Sequence, residues 1–386
     1  YDKLYTNVYA NGPATSLTGT VALAGYTDPT KRENLIAQTN LVWDVAVGGV
    51  ENKVLIGLEY GEQHSANQRS NAVLSSSSLN LAAIAYPTAT FPTENRDSTS
   101  NVTFFSAYAQ NQISIGQHVD IVVGLRFDRF DIAGTDFSPN PDRPFARVDE
   151  KVSPRLGLIL KPQENVSIYG SYSQSFLPRS GDQFLALSAV QENLAPEKFT
   201  NVELGAKWDV RPGLSTTLAL FQLDRTNATT PNPADPTTTI NIGETRTKGV
   251  EFGVTGRIAR HWQISGGYTF QDAKLRGNDF VRLAQVPKHQ FAVWNRVDVT
   301  PQIGAGVGVI RQSGQFAAIR TTAATTRLPG YTRVDGALFF NVSERLQVQL
   351  NVENLLNATY FADAHNNNNI TPGAPRNARV SVRMKF

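Results

Sequence analysis

The chain has 386 residues, a formal charge of +3 from 36 Lys and Arg against 33 Asp and Glu, and no cysteine. The missing cysteine excludes a disulfide scaffold, a thiolate metal centre and a thiol nucleophile, and it suits export through an oxidising periplasm. No stretch approaches the roughly 18 to 20 apolar residues of a spanning helix, which excludes a helical membrane protein but leaves a strand barrel open, because strand alternation averages to mild polarity. Cations and acids are interspersed along the whole chain, so the positive charge does not point to nucleic acid as a partner.

The first residues, Tyr1 to Tyr5, lack the basic start and apolar core of a signal peptide, so either a leader was cleaved or the chain is a fragment. The first strand is expected at about Leu4–Ala10. From there, stretches of about ten residues alternate apolar with polar, the mark of strands with one apolar face. Ile121, Val123, Leu125 and Phe127 stand against Arg126 and Asp128. Val202, Leu204, Ala206, Trp208 and Val210 stand against Glu203, Lys207 and Asp209. Val334, Leu338 and Phe340 stand against Arg333, Asp335 and Asn341, and Leu346, Val348, Leu350 and Val352 against Gln347, Gln349, Asn351 and Glu353. The second face of each needs water.

The connections alternate in length. Short ones are expected near Gly48–Asn52, Ile115–His118, Lys161–Glu164, Val210–Gly213, Ala259–His261, Thr300–Gln302 and Val342–Glu344. Long ones, rich in Pro, Asn, Ser and Thr, are expected near Ala66–Ser100, Ala133–Arg147, Phe176–Lys198, Asn227–Thr239, Lys274–Pro287, Ser313–Leu328 and Ala362–Ala374. Tight turns on one edge and long loops on the other are the asymmetry of outer-membrane barrels. The count is about sixteen strands, and an even count fits a bacterial barrel. A propeller, sandwich or solenoid is the soluble alternative, but no repeat of about 40 to 45 residues recurs.

The last strand sets Ala378, Val380, Val382, Met384 and Phe386 against Arg379, Ser381, Arg383 and Lys385, and ends on the aromatic. Such an ending resembles the signal read by the barrel assembly machinery, with Val380, Val382, Met384 and Phe386 as its residues. It also makes Phe361–Pro375 extracellular and Val342–Glu344 periplasmic. A Lys or Arg facing lipid at mid-membrane costs about 2–4 kcal/mol, in keeping with charges gathered on the other parity. Trp43, Tyr60, Tyr169, Tyr172, Trp208, Trp262 and Tyr268 are candidates for interfacial girdles, some of them for the lumen.

Catalytic motifs are few. His64, His118, His261, His289 and His365 are far apart, with no HExxH, and no GxSxG elbow occurs. Gly304, Gly306 and Gly308 lie in an expected strand, where glycine permits close packing. Asp149 and Glu150 read as rim charges rather than an acid–base pair. No enzymatic activity and no protein-bound metal are expected.

Several stretches resemble the barrel of TonB-dependent ferric-siderophore receptors. Val152-Ser-Pro-Arg-Leu-Gly-Leu158 with Ile168-Tyr-Gly-Ser-Tyr-Ser-Gln-Ser-Phe176 resembles the strand pair at the barrel midpoint, and Leu194-Ala-Pro-Glu-Lys198 with Val202-Glu-Leu-Gly205 the next strand entrance. Glu244-Thr-Arg-Thr-Lys-Gly-Val-Glu251, Leu328-Pro-Gly-Tyr-Thr-Arg-Val-Asp335 and Val352-Glu-Asn-Leu-Leu-Asn-Ala-Thr-Tyr360 complete a series in family order. His365-Asn-Asn-Asn-Asn-Ile-Thr-Pro-Gly-Ala-Pro-Arg376 looks like receptors for catecholate chelates.

The resemblance implies an all-β, transmembrane antiparallel up-and-down barrel in the bacterial outer membrane. About 16 of 22 strands lie in residues 1–386, and the N-terminal plug domain and first strands are not among them. It implies uptake of a ferric siderophore energised by TonB through that missing region, with iron carried as the chelate and no further cofactor. Outer-membrane lipid and lipopolysaccharide are the expected surroundings. A passive sixteen-stranded general porin is the rival reading, and heme or cobalamin receptors are variants of the first. An anionic, aromatic chelate calls for cations and rings. In the Gly314–Gly330 loop, Arg320 and Arg327 with no acid, and Phe316 and Tyr331 at its ends, are the first choice. Phe176 with Arg179, Arg282, and His365 with Asn367 are the second.

Overall fold

The structure, a computed structural model, describes residues 1–385 except 139–140, 180–183, 185 and 232–238. Phe386, expected to close the assembly signal, and the middle of the expected Asn227–Thr239 connection lie outside the described residues.

Sixteen strands run as one antiparallel meander, each hydrogen-bonded to the next: β1 (Asp2–Ala10), β2 (Thr20–Val47), β3 (Val50–Leu74), β4 (Ala89–Ile115), β5 (Val119–Asp136), β6 (Arg143–Gln163), β7 (Val166–Leu177) and β8 (Glu197–Arg211) form the first half. The second half is β9 (Leu214–Pro231), β10 (Thr239–Ala259), β11 (Trp262–Leu275), β12 (His289–Asp298), β13 (Ile303–Gln312), β14 (Tyr331–Asn341), β15 (Leu346–Glu353) and β16 (Asn377–Met384). Two short strands, Ser78–Asn80 and Asn278–Arg282, add to the same sheet. Among the described residues no pairing joins β1 to β16, so both keep a free edge.

Turn chemistry sorts the two rims. Gly48 and Gly49 both take positive φ between the paired Val47 and Val50, the two-residue hairpin turn that matches strand twist. All the tight turns fall on one rim and all the long connections on the other. Several strands outrun the expected limits. β2 has 28 residues, β3 25 and β4 27, where about 9–11 cross a membrane, so they rise far above it on the long-loop side. The sequence placed Ala66–Ser100 and Ala133–Arg147 in connections, yet β3 continues to Leu74, β4 starts at Ala89 and β5 runs to Asp136. Above the lipid both faces meet water, so the alternation that reveals a strand fades there.

Opposed residues of an antiparallel ladder share a face, and the register therefore tracks two faces across the whole sheet. Leu41, Ile56, Val123, Leu125, Leu158, Leu204, Leu218, Leu220, Leu338 and Val380 carry the aliphatic face outward and are exposed, as a lipid-facing surface must be. Trp43, Trp208 and Trp262 sit on that face near the tight turns, and Tyr60, Tyr268 and Phe270 nearer the other rim. Trp262 and Phe270 are eight positions apart, about 26 Å along a strand, close to the apolar band of about 25 Å. Tyr169 is a lumen residue instead: its ring lies over Gly205 and its hydroxyl donates to Glu203 at 2.5 Å.

The expected packing role of the glycine run is borne out on the inner face. An added Cβ would come within 2.5 Å of the Trp294 ring at both Gly306 and Gly308. Gly308→Val should therefore displace Trp294 and cost about 1–3 kcal/mol as an overpacked site. Tryptophan emission, read against a Trp294→Phe background, should shift in the valine variant; an unchanged spectrum would contradict the packing.

Candidate functional site

Between β4 and β7 the inner wall forms a hollow of about 450 Å³ lined by Tyr108, Arg126, Phe130, Arg155 and Phe176, with Ser153, Ser173 and Ser175 between them. Phe130 is the hub of its rings, stacked on Phe104 at 5.6 Å and meeting Phe176 edge-on at 5.7 Å. Arg126 lies 5.2 Å over the Tyr108 ring. Its charge is already answered by Asp128 at 2.7 Å and Glu59 at 3.1 Å. Arg155, and Lys151 on the same face of β6, are exposed and have no ion pair among the described residues. The hollow thus offers flat aromatic faces beside the uncommitted positive charge of Arg155, with that of Lys151 further along the same strand face.

The loop after β7 covers the wall beside it. Leu187 joins Val102, Ile132 and Phe145 in a buried cluster, with Phe184 and Ala186 against it. A short helix, Ala189–Asn193, begins on Ser188, which accepts from the backbone N–H of Gln191 in a capping box. Arg143 reaches Glu192 at 2.8 Å. Beneath the loop Arg179 is 5 % exposed, 3.5 Å from Glu197 and donating to the carbonyls of Ala195 and Asn227, while its backbone N–H donates to Asp149. Burial pulls its guanidinium below the ordinary arginine value. Glu197 also holds Arg225, and Asp149 holds Arg147 at 2.6 Å. Arg179 is thereby a loop anchor committed to protein groups.

A second assembly joins the connections after β11, β13 and β15. Gln285 donates its N–H to the Phe316 carbonyl at 2.8 Å and its amide to the Ala364 carbonyl at 2.6 Å. Asn367 accepts from the Thr326 N–H at 3.0 Å and, through its carbonyl, from the Thr326 hydroxyl at 2.9 Å. Ala317, Leu328 and Ala364 are buried at the junction, with Ile370 against them. The Tyr331 ring lies tilted against that of Tyr360, with centroids 4.5 Å apart. Arg333 binds Asp335 and Glu353, while Asn354, fully buried, bonds Asp335, Ala358 and Ala374. The ordered motifs around Leu328–Asp335 and Val352–Tyr360 are thus one structural knot.

The structure brings together seven of the sequence candidates here, namely Arg282, Phe316, Arg320, Arg327, Tyr331, His365 and Asn367, and leaves Phe176 and Arg179 at the first site. Within the assembly Arg282 is committed to Asp272, and Arg320 lies 4.0 Å over Phe280 and 5.3 Å over Phe316. Arg327 and His365 are exposed. Of the wall hollow only Phe176 was singled out in advance. The signal for Arg126 and Arg155 was their place on the polar parity of strands that read clearly. Among the described residues no trio of His, Asp and Glu is placed to hold a metal ion.

Residues 1–355 match the family model described as TonB dependent receptor-like, beta-barrel. The chain is 29% identical to the "Probable TonB-dependent siderophore receptor PiuA" of Acinetobacter baumannii over 73% of its own length and 40% of that protein's. It is 29% identical to the "Catecholate siderophore receptor Fiu" of Escherichia coli over 91% of its length and 51% of that protein's. It spans about half, or less, of the length of these curated relatives. Among solved structures, the closed form of the ferric-catecholate import receptor Fiu from E. coli K12 superposes over the whole chain and 60% of its own, with a TM-score of 0.82 at 23% identity. The siderophore receptor PiuA from A. baumannii gives 0.81 at 24% identity, covering 61% of that chain. These superpositions establish the fold.

Proposed function

Because the chain belongs to the TonB dependent receptor-like β-barrel family, we propose that it builds the wall of an outer-membrane receptor that imports ferric siderophores of the catecholate type. The family consists of receptors and transporters of the outer membrane, not enzymes. The observation that carries the finer reading is the wall hollow, where Arg155 lies without an ion pair among the described residues beside Tyr108, Phe130 and Phe176, with Lys151 further along the same strand face. A ferric tris-catecholate already fills the octahedral positions of iron with oxygen. What remains to be recognised is a negative charge and the faces of aromatic rings, which cations and rings supply. The iron is cargo within the chelate.

The same reading assigns energy coupling to TonB, acting on a plug domain outside residues 1–386. It assigns closure of the wall to further strands, about six, pairing on the free edges of β1 and β16. Open edges in lipid leave backbone groups unpaired at several kcal/mol each, which supports that closure and counts against a complete sixteen-stranded porin. The assembly machinery reads β16, where Val380, Val382 and Met384 continue the outward aliphatic face.

Uptake of an iron-55 tris-catecholate by cells carrying the protein separates the two readings. The receptor should give saturable uptake that a protonophore abolishes. Linear uptake indifferent to the protonophore would establish the porin instead.

A further inference from the structure

The inner face of β16 is a row of cations. Val380 and Val382 point outward, so Arg379 and Arg383 turn to the lumen, and Lys385 follows on the same parity just past the strand end. All three are exposed, and none has an ion pair among the described residues. Arg383 and Lys385, with Arg345 from the turn before β15, line a hollow of about 660 Å³ at the tight-turn rim. Across the ladder β15 sets only amides against the two arginines, Asn351 opposite Arg379 and Gln347 opposite Arg383. Its one acid, Glu353, is held by Arg333 at 2.6 Å.

Elsewhere, where a carboxylate answers an inner-wall cation, the acid belongs to the wall itself and is reached by one of two routes. Arg147, Arg296 and Arg333 each hold the aspartate two residues further along their own strand, at 2.6, 2.9 and 2.9 Å. Lys53 instead has Asp44 directly opposite on the neighbouring strand, 3.9 Å away. On β16 the first route is closed, because Asn377 and Ser381 flank Arg379 and Ser381 and Lys385 flank Arg383. The second is closed on the β15 side, which leaves the free edge. Nor does β1 have the acid to fill it. It turns Lys3, Tyr5, Asn7 and Tyr9 inward, and its single acid, Asp2, stands opposite Lys31 on the other face.

We propose that the strand pairing with the free edge of β16 carries Asp or Glu at two inward positions four residues apart, one opposite Arg379 and one opposite Arg383, so that charge selects the closing strand and its register. This rests on the reading that strands outside residues 1–386 complete the wall. Directly opposed side chains of an antiparallel pair lie about 4.5–5.5 Å apart at Cβ, within reach of an ion pair, and like charges placed there repel. Backbone hydrogen bonds alone accept any strand at an open edge. A slip of one residue would turn the acids to lipid, and a slip of two keeps the faces but leaves an acid without its arginine. The charges thereby exclude registers that the ladder itself would allow.

The test uses the full-length protein in outer membranes, treated with a water-soluble carbodiimide, which joins an amine to a carboxylate in contact with it. Arg383→Lys supplies the amine. Digestion and mass spectrometry should find residue 383 linked to an Asp or Glu of a barrel strand outside residues 1–386, with no such link in Arg383→Gln. Linkage to a plug domain, or no linkage at all, would overturn the proposal and leave the receptor reading standing. Linkage to Asp2 would overturn both, by closing β1 on β16. Independently, Arg379→Glu/Arg383→Glu should lower the folding equilibrium constant about tenfold, read by heat-modifiable mobility in urea, because two facing pairs pass from attraction to repulsion. Arg379→Lys/Arg383→Lys should leave it unchanged. Parental stability in the glutamate variant would overturn the proposal, since a charge in the wet lumen with no acid facing it costs little.

Discussion

Glu197→Ala should cost about 3–5 kcal/mol locally, because it strips the partner from two arginines at once and leaves Arg179 buried with an uncompensated charge. Glu197 also accepts from the backbone and hydroxyl of Thr229, so its loss frees a third contact on β9. The loss falls on the loop and not on the barrel, whose strands keep their ladders. Protection of residues 186–196 should therefore fall by about a thousandfold at ~4 kcal/mol, measured by hydrogen exchange or limited proteolysis, while heat-modifiable mobility persists. Glu197→Gln should recover part of it by retaining an acceptor. Unchanged protection in the alanine variant would show that the ion network does not hold the loop.

The second large effect is a contrast between adjacent residues. Leu350 pairs with Leu338 and Val380 on the outward face, whereas Gln349 pairs with Phe339 and Ser381 on the inner one. Leu350→Arg should cost about 2–4 kcal/mol by placing a charge against lipid near mid-membrane. Gln349→Arg places the same charge in the lumen and should cost little. The urea midpoint of the protein in outer membranes, read by heat-modifiable mobility, should fall for the first and hold for the second. Equal midpoints would contradict the assignment of faces for the whole sheet, since one register runs through it.

Strand parity was legible because lipid on one side and water on the other impose opposite chemistry on alternate residues. Leu346 to Glu353 read as a strand on that ground alone, and β15 has those bounds. The same argument explains the failure at Ala66 and Ala133, where the strands leave the membrane and no solvent difference marks their faces. Packing details were partly legible. Gly306 and Gly308 read as a close approach, but Trp294 as the approaching group depends on register. The binding candidates were the least legible. Arg179, Arg282 and Arg320 were chosen as cations in loops, and a loop residue's face is set by contacts distant in sequence, such as Arg179 with Asn227 or Arg282 with Arg320. Arg155 lay in a motif read for its family likeness, and its free charge emerges only when its neighbours are known.

Of the four tryptophans, Trp43, Trp208 and Trp262 face outward while Trp294 lies on the inner wall. Residues 1–386 therefore carry one lumen-facing tryptophan, and the decisive measurement is its quenching, read as the difference between the protein and its Trp294→Phe variant, by ferric catecholate, ferric hydroxamate, heme and cobalamin. Saturable submicromolar quenching by ferric catecholate alone is expected, lost in Trp294→Phe and weakened about tenfold in Arg155→Gln, as loss of one charge-assisted contact implies. No saturable quenching by any ferric chelate, together with ion conductance on reconstitution, would contradict the receptor reading and leave a passive pore.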